Sequence, residues 1–238
     1  MFGRNKIATL VAEFLGTGVL TLVILSVQRS TIGIPYFVAL AAGLAAATLI
    51  VALGRATSAH LNPAVTLALW TARQVRTLEA LALVAMQLLG AWLAYYLYTF
   101  FVNSSLQPIG GHYTSRVLAA EAVGGLVLGL GWAAATYHNY LNSYKAVTVG
   151  AAYVLAIIVA SSASIGLINP AVALGVRSWV WGTYVAGPVL GAIVGVNLYG
   201  WLFAPRTAVA RASSKAVVVE KAKPARAAKK PARVTKKK

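Results

Sequence analysis

Cysteine is absent from this chain of 238 residues, and acidic residues are almost absent, with Asp and Glu numbering four in all. The lack of cysteine excludes disulfides, thiolate nucleophiles and cysteine-ligated metals. The four acids and three histidines show no metal-ligand spacing in the sequence, and no nucleophile has a base beside it. The sequence therefore predicts no catalytic centre, no metal site and no cofactor.

Charge is also scarce before the end of the chain. Of 21 lysines and arginines, 12 lie from Arg206 onward and 9 in the first 205 residues, so the formal charge of +17 is concentrated in one segment. Hydrophobic residues make up 59% of the chain, against roughly 45–50% in soluble domains. We predict a transmembrane domain over residues 1–205 and a separate basic tail over residues 206–238.

The predicted tail is rich in alanine, lysine and arginine and has no apolar periodicity, which favours disorder. If it is cytoplasmic, the nearest polyanion is the lipid headgroup layer, where each cation contributes about 1 kcal/mol of attraction. Contact with anionic headgroups is therefore the preferred interpretation. A merely solvated tail and contact with nucleic acid or the ribosome stay open as alternatives.

Six apolar stretches are long enough to cross a bilayer as helices, which takes about 20 residues. They lie at 7–28, 35–55, 78–102, 114–137, 145–164 and 180–204. Two apolar segments, 57–72 and 165–178, are too short to cross. Each of these is predicted to form a half-helix that enters the membrane and returns.

The two halves of the chain repeat one another. Asn62-Pro63-Ala64-Val65 recurs 107 residues later as Asn169-Pro170-Ala171-Val172, and Glu13 and Glu121 lie 49 and 48 residues before the two asparagines. Each half contains three spans, an odd number, so the second half enters the membrane from the opposite side. The predicted fold is an all-α membrane protein with six transmembrane helices and two re-entrant half-helices in an inverted repeat, about 7–102 and 114–204.

The distribution of lysine and arginine predicts that both termini are cytoplasmic, since cytoplasmic loops carry the excess of these residues. With the N-terminus inside, three cations lie at the outer ends of the spans, namely Arg29, Arg116 and Arg177. Seven lie at the inner ends, namely Arg4, Lys6, Arg55, Arg73, Arg76, Lys145 and Arg206. We expect an integral protein of a plasma or inner membrane.

The duplicated motif suits the beginning of a helix. Pro63 and Pro170 fit the first helical position, where a missing N–H costs nothing, and Asn62 and Asn169 fit the N-cap. Two helix N-termini that meet at the midplane bring partial positive charge, which repels cations and protons and tolerates neutral solutes. A single Asn-Pro pair is usually only a capped turn, but two copies at matching offsets favour a pore.

The stretch from Ser58 to Thr66, Ser-Ala-His-Leu-Asn-Pro-Ala-Val-Thr, resembles the first signature of the aquaporin and aquaglyceroporin family, with Ser58 where glycine is usual. Other landmarks of that family match over about residues 7–204, namely Ala12-Glu13, Gln87 with Gly90, Glu121, and Gly187-Pro188 with Gly191. The resemblance implies a passive channel for water or small uncharged solutes such as glycerol. It also implies one pore per subunit and a homotetramer embedded in lipid.

The resemblance also implies a selectivity filter, and here the chain departs from the family. An arginine normally follows the second Asn-Pro-Ala, whereas this chain has Val172. By the family's offsets, the other three filter positions fall on Ala42, Ile157 and Gly166. These four residues would form an apolar ring without side-chain donors. The sequence leaves open whether such a ring is wide enough for larger solutes or dewets and conducts poorly.

Three polar residues are predicted to support the re-entrant loops. Intramembrane carboxylates are functional by default, but the symmetric placement of Glu13 and Glu121 favours acceptance of loop N–H groups over a proton relay. His60 is expected to fix its loop by hydrogen bonds. Besides a passive channel, a scaffold or adhesion protein with a closed pore stays open, whereas an ion-coupled transporter lacks the titratable residues it needs.

Overall fold

The computed structural model describes residues 4–31, 34–110 and 112–205, and the predicted tail at 206–238 lies outside the described residues. All regular secondary structure in this described part is helical. Six helices are long, namely α1 Arg4–Gln28, α2 Pro35–Leu53, α4 Thr77–Val102, α5 Ser115–Tyr137, α6 Asn142–Ala160 and α8 Ala186–Leu202. Two are short, namely α3 Pro63–Thr71 and α7 Pro170–Gly175.

The long helices match the six predicted spans within a few residues. Each is long and apolar enough to cross a bilayer, if α8 is counted with the π-helical turn at Trp181–Val185 that precedes it. The largest difference is in the fifth span, predicted at 145–164, because α6 begins at Asn142 and ends at Ala160. The predicted all-α fold is confirmed.

The two short helices begin where the duplicated motif predicts. Pro63 and Pro170 occupy the first helical positions, and Asn62 and Asn169 are the N-caps. At about 1.5 Å per residue, helices of 9 and 6 residues rise about 14 Å and 9 Å, half the hydrocarbon thickness or less. Neither can span the membrane.

Helix packing follows the inverted repeat. Within the halves, α1 packs on α4 and α5 packs on α8. Between the halves, α2 packs on α6, α3 packs on α8, and α7 packs on α4. Every contact between two elements of one half has its counterpart in the other, so the half-helices lie enclosed by the spans.

Small residues allow the close approach of α2 and α6. Gly43 and Gly150 each lie 19 residues before their asparagine and face one another. A Cβ added to Gly43 would lie 2.6 Å from the Gly150 carbonyl oxygen, and one added to Gly150 would lie 2.8 Å from the Gly43 oxygen. Larger side chains are excluded at this crossing, as is usual where lipid supplies no hydrophobic drive between helices.

A buried carboxylate holds the loop before α3. Glu13 accepts hydrogen bonds from the Thr57 hydroxyl at 2.7 Å, from the backbone N–H groups of His60 and Leu61 at 2.9 Å each, and from the Gln87 amide at 2.8 Å. Since its side chain is fully buried, these four donors replace the water that the carboxylate loses. The loop is thereby fixed to α1 and α4.

Glu121 holds the loop before α7 in the corresponding way. It accepts from the Ser164 hydroxyl, from Leu167 N at 2.9 Å and from Ile168 N at 2.6 Å. This carboxylate is also fully buried. The geometry agrees with the predicted supporting role of both glutamates.

Both loops contain a residue in the left-handed backbone region directly before the asparagine. Leu61 has φ 53° and Ile168 has φ 45°. For a branched side chain this conformation costs on the order of 1–3 kcal/mol and persists only where the surroundings impose it. The carboxylates bond the N–H of both residues and thus stabilise the conformation.

Gly191→Ala is expected to lower the free energy of unfolding by about 1–3 kcal/mol, because the added Cβ would overlap the backbone carbonyl of Ala122 on α5. Gly18→Ala is the matched control, since its Cβ would lie 3.1 Å from the nearest atom, Gly90 O. Thermal stability in detergent, followed by size-exclusion chromatography, measures both. Equal melting temperatures for the two variants would contradict the packing argument.

Glu121→Leu is expected to destabilise the protein by several kcal/mol, because the hydroxyl of Ser164 and two backbone N–H groups lose their acceptor and each buried orphan costs about 1–3 kcal/mol. Glu121→Gln keeps one acceptor oxygen and should lie between this variant and the wild type. The control is Glu79→Leu, at an exposed glutamate in the first turn of α4. A control that melts as early as Glu121→Leu would remove the support for this role.

Candidate functional site

The two asparagines meet at the point where the half-helices face each other. Asn62 Nδ2 donates to the Ile168 carbonyl oxygen at 3.1 Å, and Asn169 Nδ2 donates to the Leu61 carbonyl oxygen at 2.8 Å. Each amide therefore bonds the residue directly before the other asparagine. The left-handed backbone at Leu61 and Ile168 belongs to the turns that present these two oxygens.

The amide oxygens of the same asparagines cap their own helices. Asn62 Oδ1 accepts from Ala64 N at 2.8 Å, and Asn169 Oδ1 accepts from Ala171 N at 3.0 Å and from Val172 N at 3.4 Å. Capping satisfies N–H groups that a helix end otherwise leaves unpaired. The amide nitrogens are left to face the junction of the two halves, where the partial positive ends of both half-helices converge.

The four predicted filter residues, Ala42, Ile157, Gly166 and Val172, are all buried. Ile157 and Gly166 are neighbours, because a Cβ on Gly166 would lie 3.0 Å from Ile157 O, and Gly166 has φ 65°, which favours glycine. Ala42, Ile157 and Val172 belong to one buried apolar cluster. Their grouping into a ring around a pore stays a prediction.

Neither arginine near this end of the bundle takes the place of the missing filter arginine. Arg177 is exposed and turns toward α4, where Nη1 donates to the Tyr95 hydroxyl at 3.3 Å and the guanidinium lies 5.7 Å from the ring centre. Arg29 donates through Nη2 to Gln107 O at 2.7 Å and to Val176 O at 3.1 Å. Burial lowers the pKa of Arg29 from its ordinary value. Both guanidinium groups thus bind other parts of the protein.

His60 is buried between the loop and a tryptophan. Its Nδ1 lies 3.2 Å from the Thr66 hydroxyl, and its ring meets that of Trp132 edge-on at 5.3 Å. On Trp132 also lies the Lys145 ammonium group, 4.6 Å from the ring centre, and Lys145 Nζ donates to Ser58 O at 2.6 Å. The contact with Thr66 fits the predicted role of His60 in fixing its loop.

These residues line a cavity of about 230 Å³ at the end of the bundle where α5 joins α6. We call it the vestibule cavity, and its walls include Ser58, His60, Trp132 and Lys145. The orientation predicted from the charges places it on the cytoplasmic side. It leads from the surface toward the buried face of the loop that carries Asn62.

One polar residue at the junction was missed by the sequence reasoning. Tyr153 on α6 is buried, and its hydroxyl accepts a hydrogen bond from Asn62 Nδ2 at 3.3 Å. The side chain of Asn169 interacts with the same hydroxyl. A signal was available, because Tyr153 lies one helical turn before the predicted filter residue Ile157 and so shares its face of α6.

Trp132 and Lys145 were likewise missed as a pair. The sequence reasoning used Lys145 only as a cytoplasmic charge and left Trp132 out. No local pattern predicts their stacking, since Trp132 lies in the middle of α5 and Lys145 near the start of α6. Among the described residues, no group of three or more His, Cys, Asp or Glu side chains could hold a metal ion.

Comparison with known proteins gives the chain its relatives. Residues 4–199 match the model of the family described as Major intrinsic protein. Aquaporin NIP3-1 of Zea mays is 32% identical over 177 residues, which cover 69% of this chain and 58% of that protein. Aquaporin Z of Photorhabdus laumondii is 27% identical over 227 residues, which cover 83% of this chain and 98% of that protein.

A solved structure shares the fold. The aquaglyceroporin from Plasmodium falciparum matches with a TM-score of 0.72 at 21% identity, covering 87% of this chain and 99% of that one. The chain spans about three fifths of the length of the plant relatives it matches, from 57% to 61%. On the family match and these relatives together, the chain belongs to the major intrinsic protein family and is an integral membrane protein.

Proposed function

We propose that this protein is a passive transmembrane channel, not an enzyme, and that it conducts water and small uncharged solutes such as glycerol. The observation that carries the proposal is the reciprocal bonding of Asn62 to Ile168 O and of Asn169 to Leu61 O. This bonding brings two helix N-termini together inside a six-helix bundle. Such a junction disfavours cations and suits neutral solutes that accept hydrogen bonds.

The path we propose runs from the vestibule cavity past the asparagines to the apolar ring of Ala42, Ile157, Gly166 and Val172. Pro63, Ala64, Pro170 and Ala171 would form the adjoining first turns of the half-helices. Without a guanidinium the ring lacks five N–H donors and a steric block. We therefore infer that it admits larger neutral solutes than a ring with arginine.

Assembly and placement are part of the proposal. We infer a homotetramer in a plasma or inner membrane, with one pore per subunit and both termini in the cytoplasm. The basic tail at 206–238 would then lie beside the anionic lipid headgroups, which attract lysine and arginine. Support comes from the family, from the charge distribution and from the position of Lys145 at the same end as the vestibule cavity.

A second candidate is a scaffold or adhesion protein of the same fold with a closed or poorly conducting pore. One observation favours it, namely that Asn62, Asn169 and the four ring residues are buried. Osmotic measurements separate the two functions.

Proteoliposomes are expected to take up both water and glycerol faster than empty liposomes, because the ring has neither the bulk nor the charge to exclude glycerol. Stopped-flow light scattering after osmotic jumps with water, glycerol, urea and ammonia gradients measures each flux. Water flux with complete exclusion of glycerol would contradict the wide ring. Fluxes equal to those of empty liposomes for every solute would favour the scaffold.

Val172→Arg is expected to lower glycerol flux about tenfold relative to water flux, since small steric mismatches in a narrow site discriminate by that order or more. Val172 is the third residue of α7 and is fully buried, so added bulk enters the junction. Val172→Met is the matched control, which adds length without charge or donors. Stopped-flow flux ratios decide, and an unchanged glycerol-to-water ratio in Val172→Arg would show that this position is outside the constriction.

A further inference from the structure

Tyr153 occupies the place where the two halves meet. It lies on α6 between Val149 and Ile157, one helical turn from each, and all three side chains are buried. Its hydroxyl is 3.3 Å from Asn62 Nδ2 and also interacts with the side chain of Asn169. A single phenol therefore contacts both asparagines of the duplicated motif.

This contact uses up the hydrogen-bonding capacity of Asn62. The amide nitrogen carries two N–H donors. One is directed to Ile168 O at 3.1 Å and the other to the Tyr153 hydroxyl at 3.3 Å. A solute at this level finds no free donor on Asn62 until the tyrosine leaves.

The junction is closed to solvent in this conformation. Asn62 and Asn169 are 0% exposed and Tyr153 is 2% exposed. A conducting single-file pore must offer its lining to water along its whole length. The phenol ring, packed among buried residues, stands where that lining would otherwise face a water molecule.

The obstruction comes from one half of the repeat only. Tyr153 lies 16 residues before Asn169, and the residue 16 before Asn62 is Ala46, which is also buried. Since α2 and α6 are equivalent helices that cross at Gly43 and Gly150, the small Ala46 leaves room for the ring. One bulky residue opposite a small one gives a plug that can be displaced without separating the helices.

We propose that Tyr153 is the gate of this protein, with the closed state held by the hydrogen bond from Asn62 to its hydroxyl. Flux of every solute then depends on the fraction of molecules in which the phenol has turned away, whereas the ring at Val172 discriminates between solutes. The inference rests on the proposed channel function and goes beyond it by assigning the step that limits flux.

Tyr153→Phe tests the gate most directly, because it keeps the ring and removes the bond to Asn62. Losing one net hydrogen bond shifts a two-state equilibrium about fivefold, so water and glycerol fluxes should both rise about fivefold with an unchanged ratio. Tyr153→Val removes the ring as well and should raise both fluxes further. Stopped-flow measurements on proteoliposomes, normalised to the amount of folded protein by size-exclusion chromatography, give the values.

Tyr184→Phe is the matched control, since Tyr184 is equally buried but its hydroxyl donates to Gly110 O instead of contacting an asparagine. Its fluxes should equal those of the wild type. A rise in Tyr184→Phe as large as in Tyr153→Phe would mean that any lost buried hydroxyl loosens the bundle, and would overturn the gate.

The remaining outcomes separate the gate from the channel. A silent wild type with a conducting Tyr153→Val supports both. A conducting wild type whose fluxes are unchanged in Tyr153→Phe and Tyr153→Val overturns the gate and leaves the channel standing. A Tyr153→Phe variant that changes the glycerol-to-water ratio overturns the gate, because the residue would then be a filter. If neither the wild type nor Tyr153→Val exceeds empty liposomes, the channel function fails.

Discussion

The crossed pair of amide-to-carbonyl bonds between the half-helices is the interaction on which the rest of the structure depends. Helices of 9 and 6 residues are too short to be stable alone, and an unsatisfied backbone group inside a bilayer costs several kcal/mol. Each loop therefore needs a partner for its exposed groups. Asn62 and Asn169 supply it across the junction, and Glu13 and Glu121 supply it from behind.

The arrangement also balances charge. Two half-helices directed at one point bring two partial positive ends together, which repel each other. The carboxylates of Glu13 and Glu121 bond N–H groups of the loops that lead into these ends. Negative charge thus lies behind the loops and neutral amides lie between them, an order that stabilises the junction without placing an acid at its centre.

Much of this could be predicted from the sequence, because the deciding signals are local or repeated. Apolar length identifies the spans, and Asn-Pro fixes a capped helix start within two residues. The role of Glu13 and Glu121 was accessible because the same offset to the asparagine occurs in both halves. In each of these cases a short pattern determines the structure that it forms.

The parts that could not be predicted depend on contacts between distant residues. Tyr153 meets an asparagine 91 positions away, and an aromatic residue in an apolar helix is more often core packing or a lipid anchor. Arg29 was assigned only as an outer charge, yet it bonds the carbonyl of Val176, 147 positions away. Helix crossings decide such pairs, and no local periodicity encodes them.

The equivalence of Gly43 and Gly150 has a consequence for how such a chain can vary. Residues that face their own counterpart across a two-fold axis would have to change together in a symmetric assembly of two identical halves. In such an assembly a tyrosine at the position of Tyr153 would occur twice, and two phenols would compete for the space that Ala46 now leaves to one. Joining the halves into a single polypeptide frees each copy from this condition. Broken symmetry, with the backbone pattern kept and one side chain changed, is what allows a single aromatic residue at the centre of a duplicated fold.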